Sequence, residues 1–133
     1  MKSLIFSLIL AVSTVSAKEI SINWTKDETI LLMDTYIKIR PKYDNYNPQI
    51  RRLSNFLSST KKMNNSSYRS ASDVYFNMLA LQRLDDKYKN NIRKIIRPTK
   101  IQKQVWEEYK DNLKKLKEDA ILIMEKMKKG ETE

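Results

Sequence analysis

The chain has no cysteine, no histidine, a single glycine and only three prolines in 133 residues. Without thiols there is no disulfide framework, no thiolate zinc site and no cysteine nucleophile. Without imidazoles there is no histidine metal ligand and no Ser-His or Cys-His pair. A lone glycine, Gly130, leaves no Gly-rich loop to cradle a phosphate. Two acidic pairs, Asp85-Asp86 and Glu107-Glu108, are the candidates for holding magnesium. Neighbours along a helix or turn diverge, and both pairs sit among lysines, so solvated surface is the preferred reading. The expectation is a chain that is no enzyme, with no cofactor and no small-molecule substrate.

Positive charge is what the chain has in surplus. Lys and Arg number 26 against 16 for Asp and Glu, a formal net charge of +10. Such an excess favours polyanionic partners, because each phosphate neutralised releases a counterion. The length suits one domain and leaves no room for a second independent core. At the start, Lys2 precedes the apolar run Leu4 to Val12, and Val15-Ser16-Ala17 follows with small residues where a signal peptidase reads. A charged start, a short apolar stretch and a small-residue exit describe a secretory signal over residues 1–17. The run is shorter than the roughly 20 apolar residues of a membrane span. The expected mature chain begins at Lys18, is exported (secreted or periplasmic) and is not an integral membrane protein. Should the signal not operate, the protein is intracellular. Residues 18–23 then form a linker, 24–128 a helical domain and 129–133 a tail.

Helix starts punctuate the rest. Thr25-Lys26-Asp27-Glu28 is a capping box, followed by Ile30, Met33 and Ile37 on one face, with Leu31 and Tyr36 beside it, until Pro41. Asn47-Pro48 places a cap before a proline at the first helical position. Its stripe is Ile50, Leu53 and Leu57, with Phe56 alongside and Arg51 and Arg52 facing away. A third helix opens at Ser70-Ala71-Ser72-Asp73, a box of the same kind, and turns Val74, Met78 and Leu81 inward. After a basic connector, Lys87 to Pro98, the segment Thr99-Lys100-Ile101-Gln102 caps a helix carrying Val105, Trp106 and Tyr109. Tyr109, Leu113, Leu116, Ala120, Ile123 and Met127 then recur at heptad spacing. The seam reads as a long terminal helix packed across the domain in preference to a dimer contact. No strand alternation is visible, so the expected class is all-α, a compact domain of four to five helices.

Trp24-Thr25 with Asp27-Glu28 and Tyr36 resembles the opening of Myb-like helical domains, where an aromatic residue packs under a three-helix unit. The wider order of segments extends the likeness. Trp24 to Glu28 leads, then Leu31 to Tyr36, Arg52 to Leu57, Tyr68 to Leu79, and Val105-Trp106-Glu107-Glu108-Tyr109 ahead of a basic helix. In this order they resemble the N-terminal helical domain attached to many bacterial HNH-type restriction endonucleases, over about residues 24–125. The resemblance implies a comparable helical fold and engagement of DNA. The nuclease half with its histidines is absent, and the family's glycine-containing loop is replaced by Asn90 to Arg97. Cleavage therefore does not carry over.

For a basic face the candidates are Arg51, Arg52, Lys61, Lys62, Arg69, Arg83, Arg93, Lys94 and Arg97, since guanidinium groups bracket phosphates and these residues gather near loops and helix starts. Asn77 and Gln82 are the candidate readers of base edges, because amides pair bidentately with adenine. Three functions stay open: a DNA-interaction module making phosphate contacts, an exported interaction protein using the same scaffold for a protein partner, and, behind these two, a basic helical protein acting at a membrane surface through its Lys-rich last helix.

Overall fold

The computed structural model describes residues 23–40, 47–60, 68–91 and 96–130. The signal sequence, residues 18–22 of the linker, Pro41, Lys61, Lys62, Arg93, Lys94 and residues 131–133 lie outside them. Among the described residues the protein is all-helical, with five α-helices and no strand. In chain order these are α1 (Lys26–Ile39), α2 (Pro48–Ser59), α3 (Ala71–Leu84), α4 (Lys100–Tyr109) and α5 (Leu113–Lys128), with a short 3-10 turn at Lys89–Asn91 between α3 and α4.

The cap chemistry forms largely as the residue types dictate. Thr25 accepts from the Glu28 N–H at 3.1 Å while the Glu28 carboxylate accepts from the Thr25 N–H at 3.0 Å. Thr99 and Gln102 repeat the reciprocal pair at α4, and Asn47 accepts from the Gln49 N–H at α2. At α3 only half of the box forms. Ser70 accepts from the Asp73 N–H, whereas the Asp73 carboxylate accepts from Asn77 Nδ2 at 3.0 Å. Aspartate is one methylene shorter than the Glu or Gln that closes such a box.

Helix α1 is the centre of the domain and packs against all four other helices. Ile30, Leu31, Leu32, Met33 and Tyr36 are all buried, so the helix is enclosed on more than the one face its Ile30-Met33-Ile37 stripe suggested. Around it lie Ile50, Leu53 and Leu57 of α2, Val74, Met78 and Leu81 of α3, Val105, Trp106 and Tyr109 of α4, and Leu116, Ala120, Ile123 and Met127 of α5. The Tyr36 and Trp106 rings meet edge to face at 6.0 Å.

The heptad spacing from Tyr109 to Met127 crosses a helix break, and the terminal helix packed across the domain is α5. Helix α4 ends at Tyr109, and Asn112 caps α5 by accepting from the Lys115 N–H. Tyr109 and Leu113 thus belong to different helices, and Leu113 is exposed, so the seam begins at Leu116. The cause is local: Asp111-Asn112 offers a side-chain acceptor to the backbone, which competes with continuing the helix.

Candidate nucleic-acid interface

Which charges remain available to a partner depends on which are consumed inside the fold. The deepest ion pair joins Glu28 of α1 to Arg69, in the turn before α3. Arg69 Nη2 lies 2.9 Å from Glu28 Oε1, and both side chains are almost fully buried. The same guanidinium donates to the Asn23 carbonyl at 2.7 Å, and Tyr68 donates to Glu28 Oε2 at 2.5 Å. The guanidinium also lies over two rings, 4.8 Å from the Trp24 centroid and 4.4 Å from that of Tyr68. Arg69 adopts φ +50, a left-handed conformation uncommon for a side chain of its size. Ser54 donates to its carbonyl at 2.7 Å, and Ser58 to that of Tyr68, which pins the turn to α2. Burial and the adjacent Glu28 push the Tyr68 hydroxyl well above its ordinary range. Burial likewise raises the Asp73 carboxyl, opposed by the neighbouring Arg69.

A second buried carboxylate, Asp85 after α3, accepts from Tyr36 at 2.8 Å and Arg40 at 2.9 Å, tying the end of α1 to the end of α3. Its neighbour Asp86 is exposed and pairs with Lys89. Glu107 pairs with Lys110 and Glu108 with Lys26. Both acidic pairs are therefore split between separate cations. Among the described residues no group of three or more carboxylates is placed to hold a metal ion, and no helix is long and apolar enough to cross a membrane.

The sequence candidates fare differently. Among the described residues Arg51, Arg52 and Arg97 are exposed and without an ion-pair partner, and Arg83 is half-buried with its Nε enclosed and unbonded. Lys61, Lys62, Arg93 and Lys94 lie outside the described residues. Arg69 is corrected from surface cation to core residue, because Glu28 and two rings claim its guanidinium. Gln82 is buried and donates to the Tyr88 carbonyl at 2.9 Å. Asn77 donates to Asp73 and accepts from Gln102 at 2.7 Å, joining α3 to α4. Neither amide is free to meet a base edge.

Other exposed cations, on α4 and α5, take their place. Lys100 and Lys103 share the exposed face of α4 one turn apart, just after Arg97; Lys114, Lys117 and Lys128 are exposed on α5, and Lys129 at its C-cap. Their signal was available: each falls outside the apolar positions of its helix. Among the described carboxylates only Asp111, Glu118 and Glu125 stand outside an ion pair. The cations outside one are Arg51, Arg52, Arg83, Lys87, Arg97, Lys100, Lys103, Lys114, Lys117, Lys128 and Lys129.

A cleft of about 200 Å³ opens elsewhere, between α1 and α2. Helix α1 lines it with Leu31, Asp34, Thr35 and Lys38, and α2 with Gln49, Arg52, Leu53 and Phe56. Each set follows the i, i+3, i+4, i+7 spacing of a single helix face. Met124 of α5 completes the lining.

Compared with family models, with curated proteins and with solved structures, the chain matches none of them.

Proposed function

We propose that this domain is a non-enzymatic module that binds duplex nucleic acid through phosphate contacts. The observation that carries the reading is the unequal fate of its charges. Ion pairing consumes most of the described carboxylates, and a large set of exposed lysines and arginines is left without ion-pair partners among the described residues. Unpaired surface cations gain by displacing counterions from a phosphate backbone. The resemblance of residues 24–125 to the helical domain of HNH-type restriction endonucleases supports the same partner. With Asn77 and Gln82 occupied inside the fold, the binding carries little base preference.

The test is a titration of the purified domain with unrelated duplexes across a salt series. Neutralising about four phosphates gives a log–log slope near −4. Changing Arg97, Lys100 and Lys103 together to Ala should reduce the slope's magnitude by roughly 2 to 3 and weaken all duplexes alike. Absence of salt-dependent binding at low ionic strength refutes the reading. The second function, an exported scaffold for a protein partner, is favoured by the cleft between α1 and α2.

A further inference from the structure

The cleft between α1 and α2 combines an apolar floor with one unanswered charge. Leu53, Phe56 and Met124 contribute apolar surface, and the last two are only partly buried. On the α1 side Lys38 is already answered by Asp34, Nζ to Oδ2 at 3.0 Å. On the α2 side Arg52 is exposed and has no ion-pair partner among the described residues. The local imbalance is thus a single cation beside a hydrophobic slot. An apolar cavity of about 150 Å³ holds a benzene ring, so a cleft of about 200 Å³ accepts a phenyl or branched aliphatic side chain. The facing stripes each span seven residues of helical rise, about 10 Å, which gives the slot the length of two turns of a docked helix.

We propose that this cleft is a docking site for an acidic amphipathic helix of a protein partner, whose bulky apolar side chain fills the slot while a neighbouring carboxylate pairs with Arg52. Recognition of this kind places apolar anchors of one helix in a groove, and the rim charge sets which partner is accepted. The site rests on the protein-partner reading. Of its lining only Arg52 is also among the cations offered to phosphate, whereas Arg97, Lys100 and Lys103 lead into α4.

The experiment is an NMR titration of the labelled domain with two short helical peptides, identical except that the residues flanking a central Phe are Glu in one and Lys in the other. The acidic peptide should move the methyl signals of Leu31, Leu53 and Met124, and the basic peptide should not. Arg52→Glu should weaken the acidic peptide by roughly fivefold or more and should turn the preference towards the basic one. Arg52 is exposed, so the same spectra report an intact fold in the variant. The proposal is overturned if neither peptide moves those signals, or if the shifts fall instead on the exposed Ile121 and Leu122. It is equally overturned if Arg52→Glu leaves the preference unchanged. Concentration-dependent shifts of the cleft signals without peptide would assign the site to a second copy of the chain and also overturn it.

Discussion

Replacing Arg69 with methionine removes a cation and leaves its partner behind. Glu28 is 2% exposed and loses two guanidinium contacts, from Nη2 at 2.9 Å and Nε at 3.3 Å. The Tyr68 hydroxyl and the Thr25 N–H remain on the carboxylate, so the charge is still hydrogen-bonded but no longer neutralised. Breaking a buried pair in this way costs about 3–5 kcal/mol. Domains of this size are stable by about 5–15 kcal/mol in total, and 1 kcal/mol moves the midpoint by roughly 4 °C or more. Arg69→Met should therefore lower Tm by on the order of 12 °C or more. Arg69→Lys keeps the charge but gives up the planar fork and its contacts over the Trp24 and Tyr68 rings, and should fall between wild type and Met. Pairing Arg69→Met with Glu28→Gln should recover part of the loss, since the stranded charge is then absent. Thermal and urea denaturation of the two single variants and the double mutant measure all of this. A stability change within about 0.5 kcal/mol for Arg69→Met, the scale of an ordinary surface substitution, would refute the reasoning. A surface phosphate ligand at this position predicts the reverse pattern: unchanged stability and a salt slope smaller by about 1.

The Asp119 carboxylate accepts from the Tyr109 hydroxyl at 2.6 Å and from Lys115 Nζ at 3.2 Å, bonds that hold its carboxyl below the ordinary value. A depressed folded value stabilises above the unfolded pKa and is lost as the pH falls through the folded one. Asp119→Asn should thus be less stable than wild type at neutral pH, with the difference starting to shrink as the pH falls below about 4 and gone only below the depressed folded value; a difference that persists in strong acid would contradict the assignment. For the N-terminus, export with cleavage after Ala17 should give protein beginning at Lys18 in sequencing from the native host, and recovery of intact Met1 would count against it.

Local chemistry was the readable part of this chain. The capping boxes at Thr25 and Thr99, the Asn47-Pro48 start and the stripes of α2, α3 and α4 each act within one turn, so residue type and spacing are enough to place them. Spacing alone does not reveal the break at Asp111-Asn112, where a 4-3-4 pattern spans two separate helices. Periodicity counts residues and is blind to a side chain that stops the helix between them. Positive charge was also legible as a total, but its distribution was not.

Composition and short-range pattern determined that the protein is helical, basic and without thiol or imidazole chemistry, because these follow from residue types and from contacts a few positions apart. Only the tertiary structure decided which charges face water. Arg69 reads as one more loop arginine until the fold brings Glu28, 41 positions away, against it. Asn77 and Gln82 read as free amides until α4 and the Tyr88 carbonyl reach them. Burial makes an unpaired polar group costly, so the packing of α1 at the centre selected which polar side chains were drawn inward and which, Arg52, Arg97, Lys100 and Lys103 among them, remain outside for a partner.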